Sequence, residues 1–170
     1  MASPFIVNTV ELLRRLGAQR DISLSVPASQ FGFHDVRLAD DSPIDVNLHL
    51  ESLTNGIVVH GEISGLWQLQ CRRCLRAISE VSIADVDELY QRIPDNPDAY
   101  PLEGDQLDLR PMIRELVLLS EPVSPLCRPD CPGMCPNCGA DLQTDQCDCA
   151  TGLVDERWAV LDQLRKQMGE

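Results

Sequence analysis

Eight cysteines in two clusters are the feature that most constrains this 170-residue chain. Thiols two or three residues apart on turns rich in Pro and Gly can point their sulfurs at one centre, as tetrahedral zinc requires. A disulfide framework is the alternative, but the first residues lack the basic and apolar regions of a signal peptide. We therefore predict zinc binding in a cytoplasmic protein. The cysteines are Cys71, Cys74, Cys127, Cys131, Cys135, Cys138, Cys147 and Cys149.

Spacing decides how the eight cysteines divide between two zinc ions. Cys135 and Cys138, followed by Gly139, match a zinc knuckle, in which the glycine lets backbone amides approach the sulfurs. A short loop separates them from the next pair, which can fold back to complete one site with Cys147 and Cys149. We expect the remaining four cysteines to form a second site, which would tie the cysteine-rich tail to the middle of the chain. These four are Cys71, Cys74, Cys127 and Cys131.

The net charge of the chain and the absence of familiar catalytic motifs argue against several classes of function. Lys and Arg number 14 against 27 Asp and Glu, a formal net charge of −13, which makes the chain a poor general binder of nucleic-acid phosphates. The electrostatic field of such a chain favours a basic partner, unless the charge serves only to keep the protein soluble.

The longest apolar run, 116–119, is too short for a membrane span. We find no phosphate-binding loop, nucleophile elbow or paired carboxylates, so we expect no enzymatic activity and no small-molecule substrate.

Hydrophobic periodicity predicts an α+β protein. A short helix is expected over 8–17, capped by Asn8. Period-two alternation then dominates 22–88, with a hairpin turn at Thr54 to Gly56 and the first Cys-x-x-Cys at a second strand-to-strand turn. This pattern predicts an antiparallel, barrel-like β-meander with flanking helices.

The second half of the chain reads as a loop, two helices and the cysteine cluster. Acidic residues with Pro and Gly over 95–105 predict a loop or linker, and Asp108 caps a helix with Pro111 in its first turn. Asp155 is expected to cap a final helix, whose apolar stripe we interpret as core packing. The stripe comprises Trp158, Leu161, Leu164 and Met168. We divide the chain into a β-sheet domain with helices, 1–125, and a zinc-binding segment with the terminal helix packed on it, 126–170.

Histidine and arginine supply further candidate site residues. The three histidines lie in the sheet region away from both cysteine clusters, and we interpret them as ordinary strand residues: His34, His49 and His60. Arg72, Arg73 and Arg76 surround the first knuckle, where they either compensate thiolate charge or contact a nucleic acid.

The arrangement of these residues resembles the YceD family. The resemblance rests on Leu75 after the first Cys-Arg-Arg-Cys, on the run 127–142, on Cys147-Asp-Cys149 and on Asp155-Glu-Arg157 before a terminal helix. It implies a bacterial factor needed for accumulation of the large-subunit ribosomal RNA, often encoded beside a small basic ribosomal protein.

The acidity of the chain suggests how such a factor would support accumulation of the ribosomal RNA. We expect a non-enzymatic factor that escorts or docks with a basic large-subunit ribosomal protein or a pre-ribosomal particle. Two alternatives remain: a ribosomal RNA-binding or RNA-processing protein, and a thiol-based redox sensor that releases zinc on oxidation.

Overall fold

The computed structural model describes residues 3–32, 35–93, 97–149 and 156–168. Within these ranges, seven strands form a five-stranded sheet and a two-stranded sheet, accompanied by three α-helices and two short 3₁₀ turns, Ala28–Phe31 and Glu156–Trp158. The strands are β1 (Ile6–Asn8), β2 (Gln19–Pro27), β3 (Pro43–Ser52), β4 (Ile57–Gln70), β5 (Ala77–Gln91), β6 (Tyr100–Pro101) and β7 (Gln106–Asp108). The helices are α1 (Val10–Arg14), α2 (Arg110–Leu119) and α3 (Ala159–Met168).

The large sheet is open. Its strand order is β2-β3-β4-β5-β6, with antiparallel pairing from β2 to β5 and a parallel β6 at one edge. The predicted antiparallel meander and the α+β class are confirmed, but the barrel-like closure is wrong. Closure would need the two edge strands to pair, and β6 is only two residues long and bonds to β5 alone.

One face of the sheet carries the core. The alternation read in β3 buries Ile44, Val46, Leu48 and Leu50 on this face, as the period of two requires. Helix α2 covers β4 and β5 with its buried apolar side chains, and α1 packs on β3. The opposite face of the sheet, turned away from these helices, presents mostly polar side chains.

The two predicted helix caps, Asn8 and Asp108, each lie one residue before the observed N-caps, Thr9 and Leu109. The Oδ1 atom of Asn8 accepts the N–H of Val10 at 3.0 Å, although the helix itself is shorter than the predicted 8–17. The Oδ1 atom of Asp108 accepts the N–H of Arg110 at 2.9 Å, with Pro111 in the first turn of α2. Each side chain satisfies an N–H group that the helix leaves without a partner.

Two expectations fail in the second half of the chain. The predicted loop 95–105 contains β6, because residues 100–101 hydrogen-bond to the end of β5. The predicted apolar stripe, which begins in the 3₁₀ turn before α3, is exposed at Trp158, Leu161, Leu164 and Met168, so its interpretation as core packing is wrong. Asp155, the predicted cap of this helix, lies outside the described residues. The division into segments 1–125 and 126–170 stays a prediction.

No described helix is both long and apolar enough to cross a membrane.

Candidate metal centres

The structure gathers the eight cysteines into two groups of four. Within each group the Sγ atoms all lie within 4.8 Å of one another. The first group, here the sheet site, contains Cys71, Cys74, Cys127 and Cys131. The second, here the tail site, contains Cys135, Cys138, Cys147 and Cys149. This is the division expected from spacing, and both groups could hold a metal ion.

Sulfur separations test whether a metal fits. Four sulfurs bound tetrahedrally to zinc at about 2.3 Å lie about 3.8 Å apart, whereas a disulfide brings two sulfurs to about 2.05 Å. The Sγ atoms of Cys71 and Cys131 are 3.8 Å apart, and those of Cys74 and Cys127 are 3.7 Å apart. In the tail site, Cys138 and Cys147 are separated by 3.5 Å. All eight cysteines are free thiols, so the donor set suits a tetrahedral thiophilic ion.

The sheet site is built on the turn between β4 and β5. The N–H of Leu75 donates to the carbonyl of Cys71 at 2.9 Å, and the N–H of Cys71 donates to the carbonyl of Arg76 at 2.8 Å. These bonds close the knuckle that points both thiols to one side. The N–H of Arg72 also donates to the carbonyl of Pro125 at 3.0 Å, which holds the segment entering Cys127 against the turn.

Burial and backbone donors act in opposite directions on the sheet-site thiols. Backbone N–H groups of Cys127 and then Cys74 lower the pKa of Cys71 to about 6, because they stabilise its thiolate. Burial raises the pKa of Cys131 to about 12. Four thiolates in this largely buried group would therefore need a cation to offset their charge.

The tail site repeats the knuckle on a smaller scale. The N–H of Gly139 donates to the carbonyl of Cys135 at 2.9 Å, and the N–H of Cys135 donates to the carbonyl of Ala140 at 2.8 Å. Backbone N–H groups of Cys138 and then Asn137 lower the pKa of Cys135 to about 6. Unlike the sheet site, this group includes an exposed thiol, that of Cys138.

Side-chain contacts connect the two sites. The Nε2 atom of Gln143, in the loop of the tail site, lies 3.3 Å from the Sγ of Cys131 and 3.6 Å from that of Cys127. An amide that donates to metal-binding sulfurs orients them and lowers their negative charge. Arg76 and Asp141 add an ion pair of 2.9 Å between the first knuckle and the same loop. Sequence reasoning missed Gln143, because only the fold brings it to these sulfurs.

The three arginines near the first knuckle all have partners within the protein. Arg72 donates to the Oγ of Ser124 at 2.6 Å, and Arg73 donates to the carbonyl of Cys131 at 2.9 Å. Together with the pair formed by Arg76, these contacts bind the knuckle to the tail. The arrangement favours the structural, charge-compensating interpretation of these arginines, while contact with RNA stays a prediction.

The described histidines belong to neither cysteine group. His49 and His60 lie directly opposite each other on β3 and β4. Their Nδ1 atoms face carboxylates on the neighbouring strands β2 and β5, Asp21 at 2.7 Å and Asp87 at 3.1 Å. His34 lies outside the described residues.

Fold and sites together define a class: an α+β protein with an open antiparallel sheet and two tetracysteine centres, one of which joins the sheet to the tail. Residues 59–165 match the family described as "Large ribosomal RNA subunit accumulation protein YceD". The chain belongs to the YceD family, as its cysteine pattern predicts.

Individual relatives extend the similarity beyond that match. Uncharacterized proteins of Mycobacterium bovis and Mycobacterium tuberculosis are 32% identical over 174 residues, spanning 96% of this chain and 83% of theirs. An Arabidopsis thaliana protein named "Large ribosomal RNA subunit accumulation protein YCED homolog 1, chloroplastic" is 38% identical over 69 residues, which span 41% of this chain and 22% of that protein. No solved structure matches the chain.

Proposed function

We propose that this chain is a non-enzymatic, zinc-binding factor in large ribosomal subunit biogenesis. It supports accumulation of the large-subunit ribosomal RNA by docking with, or escorting, a basic ribosomal protein. The observation that carries the proposal is the family match over residues 59–165, because the description of that family names the process.

Charge supports a protein partner over naked RNA. The net charge of −13 repels a phosphate backbone and attracts Lys- and Arg-rich ribosomal proteins at long range. The arginines with the best position for an RNA contact are Arg72, Arg73 and Arg76, and each already bonds to the protein itself. RNA accumulation is then an indirect result of delivering or retaining a ribosomal protein.

The metal centres serve the proposal as structural elements. A catalytic zinc keeps one position open for water, whereas four thiolates fill a tetrahedral coordination sphere. Zinc in the sheet site would contribute folding free energy and lock the tail to the sheet. This closed chemistry supports a binding factor, not a hydrolase that would cut RNA.

The test compares a protein partner with RNA. Purified full-length protein is titrated with individual basic proteins of the large subunit at low and physiological salt, and separately with protein-free ribosomal RNA. We expect binding to at least one ribosomal protein that weakens as salt shortens the Debye length to about 8 Å. We also expect little affinity for the RNA and no cleavage of it.

A control separates a direct RNA role from an electrostatic artefact. The triple variant Arg72→Glu, Arg73→Glu, Arg76→Glu is compared with Arg14→Glu, Arg15→Glu, which changes exposed arginines away from both metal centres. Tight RNA binding by the wild type that only the triple variant abolishes would replace the escort with a direct RNA-binding role.

A further inference from the structure

One face of the large sheet lies opposite the face on which the described core packs. Pairing register places the outward side chains of neighbouring strands in rows, so that Asn47, Glu62 and Asp85 lie side by side, as do Asp45, Ser64 and Ile83. We call the outward-pointing side chains of β2, β3, β4 and β5 the outer face. The inward side chains of the same strands contact α1 and α2, whereas in the described part of the chain the middle of the outer face is exposed.

An apolar strip crosses the β4–β5 end of the outer face. Val81 and Ile83 on β5 are 61% and 62% exposed, and Leu66 lies opposite Val81 on β4. Exposing two neighbouring β-branched side chains on a sheet costs solvation free energy that a partner would recover.

Six carboxylates lie among the other polar side chains of the described outer face. They are Asp21, Asp45, Glu51, Glu62, Asp85 and Asp87. Among the described outward-pointing residues of these four strands there is no Lys or Arg. The described part of this face therefore carries carboxylates without an outward-pointing Lys or Arg on the same strands, which complements a cationic partner.

One pair of these carboxylates opposes the stability of the free protein. Glu62 and Asp85 lie directly opposite each other on β4 and β5, and both are exposed. Like charges at directly opposite positions destabilise a sheet. A bound cation between them would remove that repulsion, so the pair is suited to the complex and not to the free sheet.

We infer that the outer face is the docking surface for a Lys- and Arg-rich segment of a large-subunit ribosomal protein. Apolar residues of that segment cover Val81 and Ile83, and its cations lie among Asp45, Glu62 and Asp85. The inference rests on the function proposed above and identifies the surface that performs it. Charge complementarity selects this occupant over RNA, which the same carboxylates repel.

The experiment uses full-length protein and each purified basic large-subunit ribosomal protein as the probe. The charge variant is Asp45→Asn, Glu62→Gln, Asp85→Asn, and the apolar variant is Val81→Ser, Ile83→Ser. The control variant, Glu11→Gln, Asp41→Asn, Glu103→Gln, removes the same number of exposed carboxylates elsewhere. We expect both outer-face variants to weaken the Kd about tenfold or more, because several rim charges or two anchors are lost, and the control to change it much less.

Unfolding of the free variants gives a second readout. Removing the repulsion between Glu62 and Asp85 should raise the urea midpoint of the charge variant while its binding falls. If the outer face served only the fold, a variant with a higher urea midpoint would not bind more weakly. The apolar variant tests the strip without any change in charge.

Each other outcome overturns the inference. Wild-type binding that neither outer-face variant weakens would leave the proposed function standing and place docking elsewhere. No binding to any large-subunit ribosomal protein would remove the proposed function, and the inference with it. Dimers that dissociate in the Val81→Ser, Ile83→Ser variant, measured by sedimentation, would make the face a contact between two copies of this chain. Tight binding of protein-free RNA to the outer face would show that its partner is RNA and not a ribosomal protein.

Discussion

The two tetracysteine centres have the same donor atoms and the same knuckle turn, but they differ in structural role. The sheet site joins residues far apart in the chain, since Cys74 and Cys127 are 53 residues apart. The tail site is local, with Cys138 and Cys147 nine residues apart. Cys71 and Cys131 are buried, whereas Cys138 is exposed. A metal in the sheet site would therefore crosslink the fold, and one in the tail site would shape a loop.

The entropy of loop closure sets the size of the difference in stabilisation between the two sites. The entropy of closing a loop scales as (3/2)RT ln n, so a crosslink over 53 residues constrains the unfolded chain by roughly 1.5 kcal/mol more than one over nine. Burial adds to this, because losing one ligand would leave charged sulfurs away from water. Cysteine chemistry alone does not set what a site does; its position in the fold does.

The largest expected effect comes from removing one ligand of each site. Cys71→Ser should destabilise the protein by about 3 kcal/mol or more, because the crosslink and its metal are lost together. Hydrogen exchange should rise near Cys127 as well as near Cys71. Cys138→Ser should loosen only the segment 135–149.

Elemental analysis is the companion measurement. We expect two zinc ions per wild-type chain and one in each variant. Loosening of Cys71→Ser confined to the β4–β5 turn would contradict the shared sheet site, and iron in place of zinc would contradict the choice of metal.

A smaller effect is expected at the connection between the sites. Gln143→Ala removes the amide that lies near the sulfurs of Cys127 and Cys131, so metal affinity of the sheet site should fall about tenfold, ~1.4 kcal/mol, with the tail site little changed. Competition with a chromophoric chelator measures both affinities. Gln146→Ala, in the same loop and exposed, is the matched control; an equal loss in both variants would mean that Gln143 has no special role.

The smallest effect tests whether the two knuckles share a backbone geometry. Leu75 and Gly139 occupy the same position after each Cys-x-x-Cys, with φ of 59° and 74°. Leu75→Gly relieves a left-handed conformation that costs about 1–2 kcal/mol, partly offset by the entropy of glycine, and should stabilise by about 0.5 kcal/mol. Gly139→Ala should destabilise by about 1 kcal/mol. Urea unfolding of the metal-loaded protein checks both signs, and a destabilising Leu75→Gly would show that packing of the leucine outweighs its strain.

Local patterns predicted the parts of the structure that depend on neighbouring residues. Alternation fixed which side chains of β3 are buried, and turn residues placed the hairpin after Ser52. The side chains of Asn8 and Asp108 accept the first N–H group of α1 and of α2, although each helix has its N-cap one residue later than expected. Each of these features is decided within a few residues, where backbone geometry leaves few alternatives.

Features that depend on distant residues were predicted less well. Closure of the sheet depends on whether its edge strands pair, and the alternation of apolar and polar residues along a strand does not predict this. The predicted apolar stripe has helical spacing, but spacing does not say whether another element covers Trp158 or Leu161. Gln143 has no sequence signal at all, since an amide near a sulfur is defined only by the approach of two loops.

The sequence by itself determined the tail-site cysteines, the antiparallel character of the strands and the family, because each depends on spacing between residues close in the chain; the sheet-site cysteines then followed as the four that remained. Only the tertiary structure decided that the sheet stays open and that the three arginines of the first knuckle bond to the tail. It also decided that Glu62 and Asp85 oppose each other on the outer face. These are contacts across the sheet, where burial and electrostatic free energy depend on distances in space that no local pattern encodes.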